Sequence, residues 1–345
     1  MKITKILVAL SFLFAVSTAN AGELTVTGNM ETTYSTSQDG TTGNPFGMDR
    51  ELKFAGSTEL DNGITVSVMQ DTSDNLGYGN SQISFGNIAG LATVYIGSDS
   101  DPMDAVDDIT PSAYEEANGS GSGTYNDIGD LAGEMGIGLK VSVPVLGAVN
   151  AKYYPKADGA KNADNASSAA TNHAVGSGGS VTITTNLADL PIAGAFLDGA
   201  NLTLGYEEVD NSTVANTQDQ TGAMAALNYS NGPISVGVQK KMHDEGQAAA
   251  TAAATTSEEQ MYIDTIVGIA YAVNDSLSVS WNRYTSKKHD AIMTAQNADQ
   301  ETDAINIGYT IGGMTVGFQD ASTDNAGHVL NTKDDTRTLG VSVAF

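Results

Sequence analysis

The chain has 345 residues, 40% of them hydrophobic, and carries 15 Lys and Arg against 41 Asp and Glu, a formal charge of −26. So acidic a chain is repelled by phosphates, which excludes nucleic acid as an expected partner. The absence of cysteine excludes a disulfide framework, a zinc–thiolate site and a thiol nucleophile. High glycine, few prolines and few charges favour many short strands and turns over helices.

The first 21 residues have the features of a secretory signal peptide. Lys2 and Lys5 give a positive start, an apolar stretch follows, and Ala19-Asn20-Ala21 is an A-x-A cleavage site. The apolar stretch is too short to span a membrane as a helix. We therefore expect residues 1–21 to be removed and residues 22–345 to form a single domain.

From Leu24 onward, apolar and polar residues alternate, which is typical of strands with two different faces. In the first segment Leu24, Val26, Met30 and Tyr34 share one face. The pattern predicts sixteen strands: 24–34, 51–60, 64–69, 82–86, 91–96, 134–143, 148–154, 180–187, 201–206, 223–229, 234–238, 260–271, 277–281, 304–309, 314–318 and 336–345.

The connections between these strands alternate between short and long. Short turns are predicted at 61–63, 88–90, 144–147, 231–233, 273–276 and 312–313, and the connection 188–200 fits least well. Polar long loops are predicted at 37–47, 156–172, 243–257, 288–300 and 322–333. Short turns at one end and long loops at the other indicate a transmembrane β-barrel of the outer-membrane type.

Barrel size decides which face points outward. A cylinder of sixteen strands is too wide for side chains to fill, so its apolar face must meet lipid and its polar face must line water. The predicted fold is therefore all-β, a sixteen-stranded antiparallel transmembrane barrel with short periplasmic turns and long extracellular loops. Aromatic residues near strand ends are consistent with interfacial girdles; they are Tyr34, Phe54, Tyr153, Tyr206, Tyr229, Tyr271, Trp281, Tyr309 and Phe345.

With these features the sequence resembles the Gram-negative general porins, of the sixteen-stranded type found in alphaproteobacteria. The resemblance is carried by the signal peptide, the start at 22–28, the turn Asp61-Asn62-Gly63-Ile64 and the C-terminal segment 339–345. It implies an outer-membrane channel for small hydrophilic solutes, a homotrimer, and contact with membrane lipid and lipopolysaccharide. It also implies that Phe345 belongs to the signal read by the barrel-assembly machinery.

The longest connection, residues 98–133, follows the fifth predicted strand and is called the acidic loop below. It contains no Lys or Arg, and a structureless loop of this length is usually functional. By strand order it is the third long loop, which in general porins folds into the barrel. We expect a negative constriction there rather than a solvated surface loop, formed by Asp99, Asp101, Asp104, Asp107, Asp108, Glu115 and Glu116.

Four lysines share the parity of the polar face and are expected on the pore wall: Lys53, Lys140, Lys152 and Lys241. Rings of charged side chains are how channels select ions. Because carboxylates outnumber these lysines, we expect a mild preference for cations. The alternative is that the lysines are exposed charges at the rim, and Lys241, nearest a loop, is the least secure assignment.

The aspartates and histidines also have to be considered as metal ligands and catalytic groups. Asp99 and Asp101 could hold Ca²⁺, although their spacing is not that of an EF-hand. His173, His243, His289 and His328 are predicted in long loops, away from any acid and nucleophile, so no catalytic set is expected. Two alternatives to a channel stay open: a surface adhesin or structural outer-membrane protein without channel activity, and a barrel-borne hydrolase.

Overall fold

The fold is a closed β-barrel, seen in a computed structural model that describes residues 24–37, 43–73, 77–155, 176–191, 197–210, 219–246, 260–290 and 297–345. The strands are β1 (Leu24–Ser37), β2 (Phe46–Glu59), β3 (Thr65–Ser73), β4 (Gly77–Ile88), β5 (Ala92–Gly97), β6 (Gly136–Val143), β7 (Gly147–Tyr154), β8 (Gly178–Asn186), β9 (Ala200–Val209), β10 (Gln220–Asn231), β11 (Ile234–Asp244), β12 (Gln260–Ala272), β13 (Leu277–Asp290), β14 (Gln300–Ile311), β15 (Met314–Asp324) and β16 (Lys333–Ala344).

Each strand pairs with its sequence neighbour, and β16 pairs with β1 to close the cylinder. All pairings are antiparallel, and the closing pair runs from Asn29 opposite Ala344 to Ser37 opposite Thr336. The seam extends to Phe345, whose backbone exchanges two hydrogen bonds with Gly28, of 2.9 and 3.0 Å. The predicted sixteen-stranded antiparallel barrel is confirmed, and every predicted strand segment overlaps an observed strand.

Several strands reach further toward the long loops than the alternation predicted. β11 continues to Asp244 and β13 to Asp290, so His243 and His289 lie in strands and the prediction of loop histidines was wrong for both. The physical reason is that both faces of these strand ends are polar. The apolar signal fades there, while backbone pairing continues, as in Asp244 opposite Met261.

The two faces of the barrel differ as predicted. Large apolar side chains are exposed on the outside, for example Leu204, Val238, Ile269, Ile305 and Leu339. The inner face carries buried polar side chains, which lie against the acidic loop. Among the described residues, no helix is long and apolar enough to cross a membrane.

The predicted short turns are confirmed: for example, β10 ends at Asn231 and β11 begins at Ile234. Positive φ angles at Gly63, Gly232 and Gly312 allow the tight reversals that side chains would strain. The predicted signal peptide at 1–21 lies outside the described residues. So do His173, the whole predicted loop 156–172, residues 247–257 of the loop 243–257 and residues 291–296 of the loop 288–300.

Candidate functional site: the acidic loop inside the barrel

The acidic loop follows β5 and lies along the inside of the barrel wall. Its outbound half contacts β8 through Asp101, β11 through Asp107 and β1 through Tyr114. Its return half contacts β14 through Thr124 and β9 through Asp130. The loop thus runs along the inner face from β7 round to β1. Its hydrogen bonds to the remaining wall, β2 to β6, lie at its first residues, Ser98 and Ser100, and beyond them that wall is open.

Side-chain amides of the wall bind the backbone of the outbound half. Gln239 donates to the carbonyls of Val106 and Asp107, at 2.9 and 2.7 Å, and accepts from the amide of Ile109 at 3.3 Å. Asn282 donates to the carbonyl of Pro111 at 3.0 Å. Because an irregular loop cannot satisfy its own buried amides and carbonyls, the wall supplies their partners.

The return half is bound in the same way at the other end of the wall. Gln300 donates to the carbonyl of Thr124 at 2.7 Å and accepts from its amide at 3.0 Å. The amide of Gly123 donates to Asp334 at 3.0 Å. With both halves hydrogen-bonded to the wall, the loop has a defined position instead of spanning the lumen freely.

Apolar contacts beneath the loop add to these polar ones. Met103 and Ile128, one from each half of the loop, are fully buried against Met224 and Ala226 of β10. Other clusters place Ala117 against β12 to β15 and Leu131 against Tyr154 and Val209. Burying a side chain of this size contributes about 1.5–3 kcal/mol, so these contacts hold the loop against the wall.

Three of the seven predicted constriction residues are buried: Asp101, Asp107 and Glu116. The Asp101 carboxylate accepts hydrogen bonds from the amides of Met103 and Asp104, at 2.8 and 2.9 Å, from Ser180 at 3.0 Å and from the hydroxyl of Tyr154. Asp107 forms an ion pair with Lys241, whose Nζ lies 2.7 Å from its Oδ1. These carboxylates therefore position the loop and are not free to meet solutes.

The other four predicted constriction residues face open space. Asp104, Asp108 and Glu115 are exposed and Asp99 is half-buried. Partial desolvation and the charge of Asp101 raise the pKa of Asp104 above its usual range, and partial desolvation and the charge of Glu31 do the same for Glu115. Of the seven predicted residues, these four therefore keep accessible carboxylates, and Asp127 of the same loop is exposed as well.

The four predicted wall lysines divide between the covered and the open wall. Lys152 and Lys241 are buried, and the Lys152 ammonium donates to the carbonyls of Asp99 and Glu134 at 3.0 and 3.2 Å. Lys140 is exposed and Lys53 half-buried on the wall that the loop leaves open. Of the four lysines, Lys53 and Lys140 therefore remain on the wall away from the loop, whereas Lys152 and Lys241 bind the loop.

The geometry does not favour the suggested calcium site at Asp99 and Asp101. The Asp101 oxygens already accept four hydrogen bonds, and the Asp99 carboxylate accepts one from the Ser100 hydroxyl at 3.1 Å. Within the described ranges, no three His, Asp or Glu side chains are grouped so that they could hold a metal ion. We therefore assign no metal to the loop.

Glu116 gives the loop a pH dependence. Burial, and secondly the charge of Asp108, raise the pKa of Glu116 to about 8, so the docked loop keeps a proton that a free glutamate loses near pH 4.3. The docked state is therefore disfavoured progressively as pH rises from about 4.3 to 8. We expect Glu116→Gln to slow proteolysis of the loop at pH 9 and to change little at pH 4.

Limited proteolysis of the folded barrel across this pH range measures the effect. Asp127→Asn is the matched control, because Asp127 is exposed on the same loop. Equal protection of the Glu116→Gln variant and the wild-type chain at pH 9 would contradict the assignment.

Sequence reasoning found the loop but missed the wall residues that bind it. Gln239, Asn282, Gln300 and Gln319 are each fully buried or nearly so on the polar face of long strands. For Gln239, Asn282 and Gln319 a signal was present, because a large amide within a strand, on a face otherwise rich in Ser and Thr, indicates that it hydrogen-bonds to the backbone of another segment. Tyr114, whose hydroxyl donates to Glu31 of β1 at 2.8 Å, carried no signal beyond its aromatic character.

The class of protein follows from these observations. A closed sixteen-stranded barrel with an apolar outside, a polar inside and a loop along its inner wall is a channel-forming β-barrel of the bacterial outer membrane. The family model of the Gram-negative porins matches residues 7–315, and the chain belongs to this family. Family and fold together define an outer-membrane channel for passive diffusion.

Solved structures share the fold at low sequence identity. A porin refined at 1.8 Å has a TM-score of 0.65 and 15% identity, with 94% of this chain and all of that one covered. The anion-selective porin from Comamonas acidovorans has a TM-score of 0.66 and 12% identity, and the match covers 94% of this chain and all of that one. OmpT of Vibrio cholerae has a TM-score of 0.66 and 12% identity, and the match covers 96% of this chain and all of that one. A trimer form of OmpT also matches. No curated protein sequence matches significantly.

Proposed function

We propose that this chain forms a water-filled pore for ions and small hydrophilic solutes, with a mild preference for cations. The observation that carries the proposal is the course of the acidic loop, which runs along the inner wall from β7 round to β1 and bonds to the wall of β2 to β6 at its first residues, Ser98 and Ser100. Solutes would pass between the loop and the open part of that wall. Residues 98–133 would form the constriction of a single domain that comprises residues 22–345.

The charge distribution supports the preference for cations. Asp99, Asp104, Asp108 and Glu115 face open space on the loop. Only Lys53 and Lys140, of the four wall lysines, remain on the open side. A structural neighbour with the same fold is described as anion-selective, so the charges near the constriction, and not the fold, must decide the sign.

The proposal extends to biogenesis and assembly. Residues 1–21 would direct export, and Phe345, which closes the β1–β16 seam through Gly28, would be read by the barrel-assembly machinery. The exposed apolar outer face would contact lipid and lipopolysaccharide. A homotrimer is proposed because a trimer form occurs among the structural neighbours.

Planar-bilayer recording tests the channel directly. We expect stepwise, ohmic single-channel conductance and, in a salt gradient, a reversal potential on the cation side. Heat modifiability on a detergent gel confirms that the protein used is a folded barrel. Folded protein without conductance would contradict the proposal and favour an adhesin or structural role.

A further inference from the structure

A row of glycines lies on the inner wall beneath the outbound half of the acidic loop. Gly237, Gly268, Gly308, Gly317 and Gly340 sit on β11, β12, β14, β15 and β16, at positions whose side chains would point into the lumen. A Cβ added at each would come closer than 3.0 Å to an atom of loop residues 111, 113 or 114. These five residues are called the glycine row below.

Strand register aligns the members of the row in two groups, one on β11 and β12 and the other on β14 to β16. Gly237 is opposite Gly268, Gly308 is opposite Gly317, and Gly317 is opposite Gly340. On β13, between the two groups, Asn282 is opposite Gly268 and Ser278 is opposite Gly308. The wall thus has a shallow groove, and residues 111–114 of the loop lie along it.

We propose that the glycine row sets the width of the channel, because it lets the loop lie directly against the backbone of the wall. This inference rests on the proposed channel function. Glycine in a strand interior weakens the strand and often marks a close approach by another backbone. Here the approaching atoms are identified: the carbonyl of Pro111 over Gly268, the carbonyl of Ala113 over Gly308 and the Tyr114 ring over Gly317.

Hydrogen bonds hold this segment at the depth that the groove allows. Asn282 donates to the Pro111 carbonyl at 3.0 Å, and the amide of Ala113 donates to Ser280 at 2.9 Å. A methyl group on the row would need ordinary van der Waals contact, which starts at 3.4 Å. The wall is a hydrogen-bonded sheet, so the loop has to give way, and it can only move toward the channel axis.

The first test is the single-channel conductance of Gly317→Ala and Gly308→Ala. Because pore diameter controls permeation, we expect roughly a twofold fall for each variant. Gly86→Ala is the matched control: Gly86 lies on β4, in the wall that the loop leaves open, and its added Cβ would find its nearest neighbour at 3.5 Å. The control should conduct like the wild-type chain.

The second test asks whether the methyl group acts through the loop. At Gly317 the obstructing atoms belong to the Tyr114 ring, whereas at Gly308 they include the backbone of Ala113. In a Tyr114→Ala background, Gly317→Ala should have no further effect, whereas Gly308→Ala should still lower conductance. If Gly317→Ala does not fold, Gly308→Ala alone carries the test, because a Cβ at Gly340 would also meet the Glu31 carboxylate of the wall.

Spin labels separate this inference from the channel proposal. The chain has no cysteine, so Glu115→Cys on the loop and Ser57→Cys on the open wall can be labelled alone. Gly308→Ala should shorten the distance between the labels by about 1 Å, the room a methyl group needs. This readout works even if the wild-type protein does not conduct. An unchanged distance, or equal effects of Gly317→Ala with and without Tyr114, would overturn the inference.

Discussion

Replacing Lys241 by methionine is expected to release the acidic loop from the wall. Lys241 is 1% exposed and its ammonium pairs with Asp107 at 2.7 Å. The substitution keeps the length of the side chain but leaves the buried Asp107 without its cationic partner, while the amide of Ile128 still donates to it at 3.3 Å. Breaking a buried ion pair from one side costs about 3–5 kcal/mol. The barrel should still form, because Lys241 makes its strand contacts through the backbone.

The release of the loop in the Lys241→Met variant should increase as pH rises. Burial raises the pKa of Asp107, against the opposing charge of Lys241. Without the lysine the docked loop has to bind a proton at Asp107 that the free loop gives up, so docking weakens as pH rises above about 3.9. The variant should therefore lose loop protection more severely at pH 8 than at pH 5.

Limited proteolysis and the noise of single-channel records measure the release. Lys240→Met is the matched control, since Lys240 is the neighbouring residue of the same type but is exposed on the opposite face of β11. Asp107→Asn in the Lys241→Met background should recover part of the loss, because the uncompensated charge is gone. Protection of the loop equal to that of the control at pH 8 would show that the ion pair does not hold it.

The fold was predictable because barrel strands repeat one simple pattern. Every strand has an outer face that meets apolar surroundings, so alternation from Leu24 to Phe345 encoded strand number and parity. The residues at which strands end were predicted less accurately than the number of strands. At the end of β11, Lys240 to Asp244 are mostly polar on both faces, so only backbone pairing marks them as strand.

The acidic loop was predictable in position but not in internal roles. Its length and charge are local properties of residues 98–133. Which carboxylates are buried depends on contacts more than 70 residues away, such as Asp101 with Ser180 and Asp107 with Lys241. The composition of the loop does not distinguish one aspartate from another. In the structure, contacts with the wall bury some of them as anchors of the loop and leave others accessible from the lumen.

The lysines show the same limit from the wall side. The alternation of polar and apolar residues placed all four lysines on the inner face, but it did not distinguish the exposed Lys140 from the buried Lys241. The difference arises because the loop covers β11 and not β6, which depends on the loop's course across the whole barrel. The electrostatic properties of the pore therefore depend on the charges that remain accessible after the loop has docked.

Neutralising the accessible loop carboxylates should move ion selectivity toward zero preference. Asp104→Asn, Asp108→Asn and Glu115→Gln together remove three exposed charges without touching the buried Asp101 and Asp107. A unit charge at about 4 Å in water contributes roughly 1 kcal/mol, which is about a fivefold change in local cation concentration before screening. With screening at 0.1 M salt, we expect the cation-to-anion permeability ratio to fall roughly twofold or more.

The control and the pH series decide where the selectivity originates. Asp61→Asn, Asp189→Asn and Asp275→Asn remove the same charge near the short turns, where all three side chains are exposed. Because exposed charges beyond about 10 Å are screened at 0.1 M salt, this variant should keep the wild-type reversal potential.

Since the pKa values of Asp104 and Glu115 are raised, the cation preference of the wild-type chain should also decline on mild acidification, and that of the triple loop variant should decline less. Reversal potentials that change equally in both triple variants would mean that total charge, and not the acidic loop, sets selectivity.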